Sequence, residues 1–228
     1  LRKFWSVLTG VVCAFSVTFF PLLSHPVSAS EPTVLLKAEV KKQAFHNGKL
    51  IKALDSNEVN KVMAKGLEFS GKIGEPTVAQ HTFDDGSSIR VTTNVVSNPK
   101  RTKGITSPLS KERDLTASTT YTATSAVGVD LFDYHLYQDF TTNGSDITWF
   151  EKTPYSDYDT TPIINYWSIV SEGPMYTDYA KKGDGITAIA NPKFKFSIWE
   201  IATVQTLSLK AELNIQPNGY YTGKWKEL

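Results

Sequence analysis

Asp133 and His135 stand two residues apart in LFDYHLYQDF, a stretch whose residues alternate apolar and polar. In an extended chain, positions i and i+2 share a face, so the two side chains lie within reach of each other. A carboxylate beside an imidazole can orient and polarise the ring as a general base. These are the candidate catalytic residues. No GxSxG, His-x-x-x-His or cysteine pair accompanies them, and the other histidines outside the leader, His46 and His81, are scattered. Serine-hydrolase, metalloprotease and zinc-finger chemistry therefore have no motif to stand on. Strand faces that meet water also carry Asp, His and Tyr for solvation alone.

A second constellation is Tyr155, Asp157, Tyr158 and Asp159 in TPYSDYDTTP, residues 153–162, which reads as a polar, aromatic loop. Amphipathic rings on a loop can stack on a sugar or meet a protein surface, with carboxylates fixing orientation. These four are the candidate binding residues. Asp157 and Asp159, with Asp184 further on, are also the candidate calcium ligands, because calcium takes six to eight oxygens and acidic loops supply them. The twelve-residue calcium loop with its fixed Asp/Asn spacing is missing, so the expectation is no cofactor, with calcium as the alternative. Among the other aromatics, Trp149 and Trp167 fall mid-strand and read as core.

The elements that must position these residues are strands. Phe132, Tyr134, Leu136 and Phe140 alternate with Asp133, His135, Tyr137 and Asp139, which describes a sheet with one buried and one wet face. The stretch 119–150 reads as a long strand, a two-residue turn at Asn143-Gly144 and a returning strand. Leu207, Leu209, Ala211, Leu213 and Ile215 alternate with polar residues, and Asn218-Gly219 turns the chain into 220–225. Asp84-Asp85-Gly86 marks another hairpin, within 78–96. One helix is expected at 55–65, capped by Asp55 or Ser56 and ended by Gly66. The fold class is mainly β: an antiparallel β-sandwich, Greek-key or jelly-roll-like, with a small N-terminal helix-plus-hairpin segment.

Residues 1–29 read as a secretory signal peptide. Arg2 and Lys3 precede the apolar run 7–20, and Val27-Ser28-Ala29 offers a small-residue cleavage site. The only cysteine, Cys13, falls within it, so the exported chain would be cysteine-free. Loss of Arg2 and Lys3 takes the 24 basic residues to 22 against 23 acidic ones, from +1 to −1. That balance gives no basic field for nucleic acid, and no later apolar run is long enough to span a membrane. The expected organisation is leader 1–29, helix-plus-hairpin segment 30–96 (a candidate pro-segment), basic Pro/Gly-containing linker 97–118 and β-sandwich domain 119–228.

The stretches FDDGSSIRVTTNVV, YHLYQDFTTNGSDIT and LSLKAELNIQPNGYYTGKW, behind such a leader, are similar in layout to small exported β-sandwich proteins of Gram-positive bacteria. The resemblance implies an extracellular or cell-wall location and brings no catalytic residue with it. The function expected is a secreted, non-catalytic binding module for carbohydrate or a protein surface. A secreted hydrolase of polysaccharide or cell wall, using Asp133 and His135, is the first alternative. A membrane-active toxin is the second, because TASTTYTATSAVGV has the texture of an inserting hairpin.

Overall fold

The computed structural model describes residues 45–46, 49–50, 54–98, 112–160, 167–179, 185–198 and 202–228. The leader, the middle of the linker and Asp184 lie outside them. The architecture is mainly β, with two large antiparallel sheets and one short helix. A two-stranded ribbon, β1 (Phe45–His46) and β2 (Lys49–Leu50), comes first. Helix α1 (Ser56–Lys65) follows; Asp55 caps it, its Oδ1 accepting the N–H groups of Asn57 at 2.8 Å and Glu58 at 3.3 Å. Gly66 ends it at φ +80°, donating its N–H to the Val62 carbonyl. Val59 and Met63, four apart on one stripe, are buried in the common core. Among the described residues no helix is long and apolar enough to cross a membrane.

A seven-stranded sheet takes β3 (Leu67–Lys72) from the start of the chain. The rest comes from its end: β10 (Trp167–Ser171), β11 (Tyr176–Asp178), β12 (Ile186–Ala190), β13 (Lys193–Ile198), β14 (Ala202–Ile215) and β15 (Tyr220–Glu227). A six-stranded sheet is built from the middle: β4 (Thr77–Thr82), β5 (Ser88–Ser97), β6 (Arg113–Thr124), β7 (Asp130–Thr142), β8 (Ile147–Phe150) and β9 (Tyr155–Thr160). Strands β12 and β13 run in one continuous register along β14, Ala190 facing Ala211 and Lys193 facing Ser208. The break between them is Asn191-Pro192, because proline has no N–H for the ladder. The Pro192 carbonyl still accepts from Leu209 N–H at 2.9 Å.

Several elements differ from their reading in sequence. The stretch 119–150 is three strands, because Ser125–Val129 turns the chain between β6 and β7; Ser125 and Val129 bond across it. The turn at Asn143-Gly144 is a four-residue loop, 143–146, in which the Asn143 side chain accepts from Ser145 and Asp146 N–H. Residues 155–160, read as a loop, are strand β9 on the edge of β7, and Tyr176–Asp178 is likewise a strand. Strand β6 begins at Arg113, inside the stretch read as linker, and pairs with β5 from Ser97↔Leu115 to Ser88↔Thr124. The helix-plus-hairpin segment thus supplies β3 to one sheet and β4 and β5 to the other.

The apolar faces of the two sheets share one core. At its centre is Trp225, fully buried, from β15. Its ring packs on Tyr121 of β6 (centroids 5.5 Å apart) and edge-on against Tyr134 of β7 (5.9 Å). Its Nε1–H donates to Thr119 Oγ1 at 2.9 Å, and Thr119 Oγ1 also accepts from Thr93 at 3.0 Å. Tyr221 makes a second link: its hydroxyl donates to the Glu75 carbonyl at 2.6 Å, beside Thr77. Tyr221 and Trp225 are therefore core. Trp149, read as core, is only half-buried.

Two substitutions in this cluster should act in opposite directions. Trp225→Ala should cost about 3–5 kcal/mol. Tyr121→Phe removes a buried hydroxyl that has no hydrogen-bond partner among the described residues; such a group costs about 1–3 kcal/mol, so this variant should be more stable than the parent. Denaturant midpoints measure both, and a destabilised Tyr121→Phe would contradict the packing described. A chain cut between residues 98 and 112 should elute as one species on gel filtration and separate only in denaturant, because β5 stays paired to β6 and β3 to β15. Elution of a free C-terminal fragment would contradict this.

Candidate functional site

The outer face of the six-stranded sheet gathers residues that the sequence leaves in separate segments. On β7 the outward column is Asp133, His135, Tyr137 and Asp139, set by the burial of Phe132, Tyr134, Leu136 and Phe140 behind them. Strand β9 lies alongside in register, with Asp159 opposite Asp133, Asp157 opposite His135 and Tyr155 opposite Tyr137. Directly opposed residues of an antiparallel pair share a face. The catalytic candidates Asp133 and His135 and three of the four binding candidates therefore form one surface. Tyr158 does not join it. In a strand it alternates with its neighbours and falls opposite Tyr134, at the sheet's edge, 44% exposed.

The other flank of β7 is β6, whose outward column is hydroxyls. Thr116 faces Asp139, Ser118 faces Tyr137, Thr120 faces His135 and Thr122 faces Asp133. Thr116 donates to Asp139 Oδ1 at 2.6 Å, and Thr120 Oγ1 lies 2.8 Å from His135 Nδ1. The imidazole is thus oriented by Thr120 rather than by Asp133. Its Nε2 lies 3.9 Å from Asp159 Oδ2, beyond hydrogen-bond reach but close enough to attract once the ring is charged. The sequence shows these hydroxyls as the polar residue at every second position of TASTTYTAT, but not their meeting with the Asp133–His135 column.

Three rings run along the face. Tyr137 stacks on His135 (6.1 Å, 21°) and on Tyr155 (5.1 Å, 17°). Tyr155, 46% exposed, also reaches Asp139 Oδ1 with its hydroxyl at 3.4 Å. Burial, followed by the charge of Asp157, raises the Tyr137 phenol above its ordinary pKa, and burial followed by Asp139 does the same for Tyr155. Both phenols therefore remain hydrogen-bond donors at any physiological pH. The face presents stacked rings, hydroxyl donors and a rim of Asp133, Asp139, Asp157 and Asp159.

Asp157 and Asp159 sit two apart on this rim, and Asp184 lies outside the described residues. Among the described residues no three His, Cys, Asp or Glu side chains are grouped to hold a metal ion. A concavity of the surface lies elsewhere, over the seven-stranded sheet. Comparison of the chain with protein-family models, with curated proteins and with solved structures finds no match.

Alkali should expose the two tyrosine layers. Burial pushes the Tyr134 phenol up to about 12 and raises that of Tyr121 as well, against an ordinary value of 10.0. A phenol whose pKa is higher in the folded chain stabilises the fold fully below pH 10. Above it the unfolded chain sheds the proton first, so stability falls as pH rises toward 12. Tyrosinate absorbance at 295 nm should rise in two steps, the second coincident with loss of near-ultraviolet circular dichroism. A single step with the fold intact would contradict the burial of Tyr121 and Tyr134.

Proposed function

We propose that the protein is a secreted, non-catalytic binding module, acting outside the cell or on the wall, whose two sheets form an antiparallel β-sandwich of Greek-key or jelly-roll type. Its contact surface is the outer face of the six-stranded sheet, centred on Tyr155, Asp157 and Asp159 with His135 and Tyr137, and its ligand is a carbohydrate or a protein surface. The observation that carries this reading is the cross-strand assembly of Tyr137 and Tyr155 into an exposed stack rimmed by carboxylates and hydroxyls. Rings held by their neighbours lose little freedom on binding, and aromatic anchors supply most of the energy in such contacts. The acidic rim argues against nucleic acid.

The alternative of a hydrolase rests on His135. A general-base histidine turns one ring nitrogen to the substrate, and in triad-type sites a carboxylate orients the other. Here the hydroxyl of Thr120 takes Nδ1, and Asp133 supplies no orienting bond. The alternative of a membrane-inserting toxin would require β6 to leave partners on both edges, because it lies between β5 and β7 and is not an edge strand.

Sedimentation with purified Gram-positive cell walls and with insoluble glucan tests the proposal. The parent protein should be retained on one of them. Tyr155→Ala and Asp157→Ala should each weaken retention about tenfold or more, which corresponds to about 1.4 kcal/mol. Retention unchanged in both variants would overturn the choice of face. Release of reducing ends, lost in His135→Ala, would establish the hydrolase instead, and dye release from liposomes would establish the membrane-active reading.

A further inference from the structure

A groove of about 770 Å³ lies over the seven-stranded sheet, lined by β3, β12, β14 and β15 and walled by Thr77 and Val78 of β4. That volume is in the range of ligand sites, roughly 300–1,000 Å³. Its floor is a row running across four strands. Thr187 of β12 faces Asn214 of β14, Asn214 faces Thr222 of β15, and Thr222 faces Ser70 of β3. Four uncharged polar side chains therefore follow one another at the strand spacing, about 4.8 Å. Asn214 Nδ2 donates to Thr187 Oγ1 at 3.0 Å, which ties the amide to its neighbour in the row.

The neighbouring row, Glu212, Lys224 and Glu68, is charged but internally compensated. Lys224 Nζ lies 2.9 Å from Glu68 Oε1, and Lys210 pairs with Glu212. The bond from Lys224 holds the Glu68 carboxyl below its ordinary range. Glu68 and Glu212 stand two strands apart, about 9.6 Å between backbones at that spacing, whereas the paired carboxyl groups of glycosidases lie about 5–9.5 Å from each other. Such enzymes need one carboxyl kept protonated as the acid. Lys224 works against that at Glu68.

We infer that this groove is a second binding site, for an uncharged glycan chain lying across the strands. Each sugar ring offers hydroxyls that both donate and accept, matching a floor of three hydroxyls and one amide, and Val78, 60% exposed on the wall, meets a ring's apolar face. An extended peptide repeats its side chains every ~6.8 Å and runs along strands, out of step with this row. An anionic chain would meet Glu68 and Glu212. The site uses none of the residues of the Tyr155 face and stands without it.

Isothermal titration of the full chain with cellohexaose, xylohexaose, mannohexaose and chitohexaose, with hexagalacturonate as the anionic comparison, tests this. At least one neutral hexaose should bind, and hexagalacturonate should bind at least tenfold more weakly. Asn214→Ala and Thr222→Val, both at outward positions, should each weaken the neutral ligand about tenfold while melting like the parent, and Tyr155→Ala tells binding at the other face from binding in the groove. If none of the four binds, if the anionic chain binds as well, or if Tyr155→Ala abolishes binding that both groove variants retain, the inference is overturned.

Discussion

The hydrogen bond from Trp225 Nε1 to Thr119 Oγ1 is a buried polar contact at the centre of the core that ties the two large sheets together. A buried indole N–H or hydroxyl left without a partner is costly, so this bond admits only one relative placement of β15 over β6. Thr119 also accepts from Thr93, which extends the constraint to β5. The Tyr121 and Tyr134 rings pack around the same indole. Apolar burial supplies most of the stabilisation here, while the indole and its two threonines specify register. A slip of one residue would turn every inward side chain outward.

The outer face depends on that register. Thr119 and Tyr121 point into the core, and Thr120 between them points out to hold His135. Tyr134 and Leu136 are buried, and His135 between them is not. Each outward group is held by two inward neighbours on its own strand and by an opposed residue on the next. Positions on strands are more rigid than positions on loops, so the stack of Tyr137 and Tyr155 has the preorganisation of the sheet itself. What the face lacks is depth, which suits adhesion to an extended surface better than enclosure of a small molecule.

Much of this was readable in the amino-acid order. The alternation in β7 and β14, the Asp55 cap with the Gly66 stop, and the turns at Asp-Gly and Asn-Gly are local signals, and each marks a real feature. Strand β9 was not readable, because YSDYDT is rich in aspartate, a residue disfavoured in strands, and it is a strand only through its pairing with β7. The start of β6 at Arg113 was hidden by flanking Lys and Pro residues, and the burial of Trp225 by its charged neighbours Lys224 and Lys226 in the sequence. The candidate site follows the same division. Asp133 with His135, and Tyr155 with Asp157 and Asp159, were each visible, but their meeting is a cross-strand register between residues some twenty apart, which no local pattern records.

The placement of β3 has a consequence for how the chain comes to be folded. It is the first strand of its sheet and pairs with β15, the last, so Glu68 meets Lys224 across 156 residues of sequence. Closing so long a loop is slow and brings no reward until the far strand arrives. Until β15 has been synthesised, β3 has no partner and the core has no Trp225. Strands β4 to β9 can pair as they emerge, but the seven-stranded sheet is completed only once β15 has emerged.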